Sequence, residues 1–457
     1  LNFMTEKFMD VKLPENFIKE MKMLLGEEFP AYERALCKPY YRGIRINTLK
    51  TDAERVFQIL PFEKKPSQFC KDGFYIPFDT KGLGFHPLHH AGAFYMQEPS
   101  AGCAVTILDV QKGDRVLDLC AAPGGKSTQI AAALQNTGLL WSNELVKSRA
   151  AVLLSNIERM GVKNAVVSSC HPQPLCDKLR GFFDKVLVDA PCSGEGMFRK
   201  DEAAAQDWSR AHVIACAARQ LSILNSAAMA LRPGGVLVYS TCTFSREENE
   251  GVLDAFLKEH PEFELEDANV SFGRPAFIKA RRILPMDGGE GHFAARLVKK
   301  DGELTAAAPY RYDSPFRGKK ELEKLVSELY DDCFPGRPFG ERFRFINDRL
   351  YLLPDRLPDF DGLYILRAGV LLGELKRLRM EPAHAAFMAA SPGECRRSIE
   401  ISPGGADVMR FLHGEEIGVP DGLKGYTAVC TGGLTLGFGK CSGGVLKNRY
   451  PKGLRNL

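Results

Sequence analysis

Arg115-Val116-Leu117-Asp118-Leu119-Cys120-Ala121-Ala122-Pro123-Gly124-Gly125-Lys126-Ser127 decides the fold. An aliphatic run, short enough for a buried strand, enters a turn of small residues. An alanine-rich helical stretch from Lys126 to Leu134 follows. Outward from it the pattern repeats. Leu139 to Glu144 reads as a second strand and Val146 to Met160 as a helix stopped by Gly161. Ala165–Ser168 and Phe183–Val188 read as further strands, and Ala203 to Leu231 as one long helix ended by Arg232-Pro233-Gly234-Gly235. A fifth strand covers Gly235–Ser240, and Ser245-Arg246-Glu247-Glu248 has the form of a capping box opening another helix. Strands alternating with helices imply a doubly wound parallel α/β sheet with right-handed crossovers. Ligands of such sheets bind beyond the carboxyl ends of the strands.

Three turns fall at those ends. The first, Asp118 to Ser127, is neither G-x-G-x-x-G nor a P-loop, because Cys120 stands where a P-loop needs glycine. Its alanines and glycines let a ligand approach the backbone, and the free amides of the next helix suit a carboxylate. Glu144, ending the next strand, is placed to accept from ribose hydroxyls. An adenosine ligand with a carboxylate and no phosphate meets these demands, which points to S-adenosylmethionine. The other two turns, Asp189-Ala190-Pro191-Cys192-Ser193-Gly194 and Ser240-Thr241-Cys242-Thr243, each carry a cysteine. A thiolate adding to carbon-6 of a cytosine makes carbon-5 able to attack a methyl sulfonium, and a carboxyl near ring nitrogen-3 stabilises the adduct. Asp189 is placed for that. One thiol attacks and the other assists release. Cys103, Cys120 and Cys216 read instead as small buried hydrophobes.

The chain has 457 residues, 45% of them hydrophobic, too many for one ordinary domain. A net charge of +4 permits a polyanionic partner without requiring one. Thirteen scattered cysteines, with no Cys-x-x-Cys pair, indicate reduced thiols in a cytoplasmic protein and no metal site. No membrane span and no apolar signal core near Leu1–Lys7 are expected. The texture divides at about residues 100, 300 and 380, giving units 1–100, 101–300, 301–380 and 381–457, with Asp301–Ala308 as a linker and strands plus a helix over 342–380.

The three turns together resemble the RNA cytosine-5 methyltransferases of the Sun and nucleolar-protein family. The resemblance extends to Arg45-Ile46-Asn47-Thr48-Leu49-Lys50, Tyr95-Met96-Gln97-Glu98-Pro99-Ser100 and Gly289-Glu290-Gly291-His292-Phe293. The tail, with Gly437-Phe438-Gly439-Lys440 and Leu446 to Gly453, looks like the bacterial RsmF type, whose members act on small-subunit ribosomal RNA. The resemblance implies a class I, Rossmann-like, S-adenosylmethionine-dependent methyltransferase sheet. Around it stand an N-terminal α+β RNA-recognition-like module, a small α+β unit and a PUA-like tail. It implies Cys242 as nucleophile and Cys192 as the release thiol. Cofactor contacts fall to Cys120, Ala121, Ala122, Pro123, Gly124, Gly125, Lys126, Glu144 and Asp189. The family's adenine-side acid is replaced by His171. A monomer acting on 16S ribosomal RNA or the small subunit, away from membranes, is the expectation.

A target base must be extruded or already unpaired. Lys38-Pro39-Tyr40-Tyr41-Arg42-Gly43-Ile44-Arg45 mixes bases with aromatics, and Lys424, Lys440, Lys447, Arg449, Lys452 and Arg455 crowd a tail without acids after Asp421. Both segments suit RNA. Transfer RNA as substrate and a catalytically silent assembly factor remain open readings. DNA cytosine methylation is disfavoured, since it has no need of a Thr-Cys cysteine.

Overall fold

The computed structural model describes residues 13–303, 307–311, 320–336, 342–377 and 379–456. The signal-core expectation at Leu1–Lys7 and part of the 301–308 linker lie outside them. The catalytic unit is built on strands β1 (Arg115–Asp118), β2 (Leu139–Asn143), β3 (Ala165–Ser168), β4 (Phe183–Asp189), β5 (Leu231–Thr241) and β6 (His292–Lys299). Within a ten-stranded sheet these six lie in the order β6-β5-β4-β1-β2-β3, parallel except that β6 runs antiparallel to β5. Side chains alternate across the sheet. Leu117, Val186, Val188, Leu237 and Tyr239 enter one apolar layer, while Val116, Leu187, Val236 and Val238 enter the other. Both faces are covered by helices, so the strands read as continuous apolar runs.

Several expectations need correction. The helix drawn over Ala203–Leu231 is two, Glu202–Gln206 and Arg210–Ala230. The break arises because Trp208 turns inward, its Nε1 donating to Glu195 at 2.9 Å, and Ser209 caps the second helix, accepting from His212 N–H. The Ser245 capping box does not form. The helix begins at Glu250, and the Glu248 carboxylate is engaged by Ser193 N–H and Gln220 instead. Among the described residues from 342 to 380 there are strands only; the helix comes later, at His384–Ala389. Arg210–Ala230 is long and apolar enough, by length and composition, to cross a membrane; half of its most apolar window is buried in the protein, as in a core helix.

Two associations were not foreseen. β7 (Ile365–Ala368), from the small α+β segment, pairs antiparallel with β3 and closes that edge of the catalytic sheet. The N-terminal sheet and the C-terminal five-stranded sheet share one core. Ile44, Ile46 and Phe74 pack with Phe411, Val429, Leu436 and Leu446. The His90 ring nitrogen meets the Tyr450 hydroxyl across this junction at 2.8 Å.

The outlying motifs serve docking. Asn47 Nδ2 donates to the carbonyls of Gly92 and Met160, and Lys50 Nζ to those of Ala91 and Arg159. Burial, with Arg159 nearby, lowers the Lys50 ammonium to about 7. Arg45 is not free to meet RNA. It is buried, donating to Gln97, to Thr128 and to the Gly125 carbonyl. It thereby ties the N-terminal sheet to the helix that opens at the first turn. Glu98 accepts from Ser100 N–H, Ala101 N–H and Glu290 N–H, joining the second and third motifs.

Candidate active site

Parallel pairing sets Asp189, at the end of β4, beside Ser240 of β5. Ser240 Oγ donates to Asp189 Oδ1 at 2.6 Å and Lys126 Nζ to Oδ2 at 2.7 Å. Burial alone would raise the Asp189 carboxyl; the Lys126 ammonium and these hydrogen bonds hold it below its ordinary value. Burial would lower Lys126, but Asp189 carries it upward. This is a charge pair between two turns, and its sequence signal was only a lysine after two glycines.

Beyond these strand ends the chain turns so that Cys192 Sγ and Cys242 Sγ lie 3.1 Å apart, both as free thiols. The two turns are laced together. Ser193 Oγ meets Thr243 Oγ1 at 2.9 Å, Gly196 N–H donates to the Cys242 carbonyl, and Glu195 accepts from Phe244 N–H. A Cβ on Gly196 would stand 3.0 Å from the Cys242 carbonyl and 2.9 Å from that of Gly291, so only glycine permits this approach. Behind them Glu248 accepts from Ser193 N–H and Gln220. The hydrogen bond shared with Cys242, then burial, raises the Cys192 thiol well above its ordinary value. Burial raises Glu195 to about 7.

A cavity of about 530 Å³ opens under the sulfurs. Cys120, Ala122, Glu144, Asp189, Cys192 and Cys242 are among the residues that line it, as are His171 and Arg149. Ala121, Pro123, Gly124 and Gly125 are not in that wall. Gly124 has φ 114° and a Cβ there would meet Leu153, while a Cβ on Gly125 would meet Tyr95. The glycines thus let the turn pack closely on Leu153 and Tyr95. Asp118 lies fully buried beneath, accepting from Ser127, and burial raises it to about 7. Glu144 accepts from Val146 N–H and sits 3.4 Å from Arg149. Sequence reasoning missed Arg149, and it missed the far wall at Ser222, Ile223 and Ser226, which comes from one face of the Arg210–Ala230 helix. His171, expected where the family has its adenine-side acid, lines the cavity and caps the Pro172–Lys178 helix.

The donor set fits S-adenosylmethionine. An acid stands at one end, apolar walls run between, and two thiols with an ionised carboxylate stand at the other. The chain matches 16S rRNA methyltransferase RsmB/F over residues 105–298 and the N-terminal domain of 16S rRNA methyltransferase RsmF over 13–99. It matches the RsmF rRNA methyltransferase first C-terminal domain over 331–389 and the methyltransferase RsmF PUA domain over 398–456. It is 34% identical to the ribosomal RNA small subunit methyltransferase F of Shewanella oneidensis over 97% of each chain. It is also 34% identical to that of Vibrio parahaemolyticus, over 97% of this chain and 98% of the relative. Among solved structures, a methyltransferase homolog protein from Pyrococcus horikoshii is 28% identical with a TM-score of 0.57, covering 63% of this chain and 96% of that one. NSun6 from the same organism is 25% identical with a TM-score of 0.56, covering 63% and 99%. By likeness along almost its whole length, this chain belongs to the RsmB/F family of 16S rRNA methyltransferases.

Proposed function

We propose that the protein methylates carbon-5 of a cytidine in small-subunit ribosomal RNA, using S-adenosylmethionine and a transient cysteine–cytosine bond. The observation that carries this is the sulfur pair, 3.1 Å apart, at the rim of a cavity that Asp189 also lines. When bound, S-adenosylmethionine supplies an electrophilic methyl group on a cationic sulfur. Cys120, Ala122, Glu144 and Asp189 would hold it, with Glu144 accepting from ribose hydroxyls.

The Cys242 sulfur bonds to carbon-6, and the electron pair of the carbon-5–carbon-6 double bond makes carbon-5 nucleophilic. Cys192 stands within reach of the Cys242 sulfur, and the shared hydrogen bond and burial disfavour its thiolate. After methylation water takes the carbon-5 proton, the electron pair left behind re-forms the double bond, and the carbon–sulfur bond breaks with its pair on the Cys242 sulfur. Cys192 assists that last step. Asp189, ionised beside Lys126, is a hydrogen-bond acceptor, so it suits the cytosine amino group, or nitrogen-3 once that carries a proton. Soluble action on RNA accords with the tail, where Lys440 and Lys447 lie opposite each other on neighbouring strands.

Bisulfite sequencing of ribosomal and transfer RNA, with and without the gene, tests the reading. One 5-methylcytosine should vanish from the small-subunit RNA of the deletion strain. Loss confined to transfer RNA, or no loss, would sink it. A second expectation concerns the cofactor. Glu144→Gln removes a charged acceptor from the ribose, at a cost of about 1.5–3 kcal/mol, so cofactor Kd should rise by about ten- to one-hundred-fold in calorimetry.

A further inference from the structure

A second cleft, of about 430 Å³, lies where the catalytic sheet meets the four-stranded sheet of the small α+β segment. The chain passes there from β7 through Gly369 straight into strand Val370–Lys376. One wall is the hairpin Phe343–Ile346 and Arg349–Leu352. Arg344 pairs opposite Tyr351 and Ile346 opposite Arg349, so these four share a face. The other face, Phe343, Leu350 and Leu352, packs with Val326 and Leu329 of the Lys320–Cys333 helix. The hairpin therefore has its core on one side, and its arginine side lines the cleft.

The facing wall is the turn Phe360–Tyr364 with Arg367 of β7. The Arg344 guanidinium lies over Tyr310 and Phe360, 5.5 and 5.8 Å from their centroids, and those rings stack 4.6 Å apart at 6°. Among the described residues Arg344 has no carboxylate partner. Arg349 is paired with Glu374, and Arg367 with Glu158 while its guanidinium covers Tyr351. Tyr364 is 54% exposed, with Lys147 Nζ 4.5 Å from its ring centre. Three arginines line the cleft against one acid, Asp361.

We propose that this cleft binds a single-stranded segment of the RNA substrate, with phosphates on Arg344 and Arg349 and a base stacked on Tyr364. That the ligand is RNA rests on the methylation reading. Fixed guanidinium plates and an exposed ring under an ammonium suit phosphate and base faces together, whereas an acidic peptide would use the charges alone. The cleft is also joined to the catalytic cavity. The Tyr364 carbonyl accepts from Ser169 N–H, two residues before His171 in the cavity wall. A strand held here is thus tied across one loop to the site of chemistry.

The test uses the full chain, a labelled small-subunit ribosomal RNA transcript and an oligouridine, with binding measured across a salt series. Arg344→Glu with Arg349→Glu should weaken both RNAs about ten-fold and reduce the salt slope by about 1–2. Tyr364→Ala should weaken them about five-fold or more with the slope kept. Cofactor Kd should stay at the wild-type value in all variants, which establishes that they fold. Unchanged RNA affinity and slope with cofactor binding intact overturns the proposal. So does loss of binding to assembled subunits alone, which would assign the cleft to a protein. Wild-type protein that binds RNA but methylates none would refute the methylation reading and leave the cleft standing.

Discussion

Cys242→Ala should bring methyl transfer down by about 10⁴-fold or more, into the assay background, while cofactor affinity stays within a factor of about two. The reason is chemical. Carbon-5 of cytosine does not attack a sulfonium methyl at a useful rate until a nucleophile has added at carbon-6, and no oxygen or nitrogen nucleophile replaces the sulfur in this arrangement. Cys192 is 3.1 Å away, but the shared hydrogen bond and burial disfavour its thiolate, the form that attacks. The measurement is transfer of a labelled methyl group to small-subunit RNA, with calorimetry of cofactor binding alongside. Residual transfer above a few per cent would show that Cys242 is not the attacking sulfur.

Cys192→Ala should behave in the opposite manner. Addition and methylation still proceed, since neither needs the second thiol, but release slows. The methylated base then stays on Cys242, and the protein runs as a slower band with RNA on a denaturing gel. The band should need both cofactor and RNA, and it should vanish in the double variant with Cys242→Ala. An adduct formed by Cys242→Ala but not by Cys192→Ala would exchange the two roles. Alanine at 192 leaves a small gap, because Ser193, Glu248 and Gln220 hold the turn by hydrogen bonds that do not involve the sulfur.

The catalytic sheet could be read from the sequence because its strands are buried on both faces and its turns are rich in glycine and proline. Val186 to Val188 and Val236 to Tyr239 needed no partner information to be recognised. The carboxyl-end rule then put Asp189, Cys192 and Cys242 on one edge. What stayed hidden depended on pairing between distant residues. Lys126 on Asp189 is such a case, and so is Glu248, whose spacing from Ser245 imitates a capping box while its carboxylate serves the Cys192 turn. Arg45 looked like an RNA contact because a basic residue among aromatics has the same local appearance whether it faces solvent or docks a module. β7 lies in the span where strands were expected, but nothing there named the sheet it joins. A four-residue, half-buried strand has no periodicity to announce which sheet it will join.

That late strand has a bearing on how the protein comes into being. The catalytic sheet cannot finish when its own segment leaves the ribosome, because the outer side of Ala165–Ser168 waits for residues made much later. Until they arrive, a row of backbone amides and carbonyls stands open to any passing strand. A fragment cut near residue 300 would keep every group needed for chemistry and still be prone to clump, so shorter versions of this enzyme should be drawn to include the stretch through Ala368.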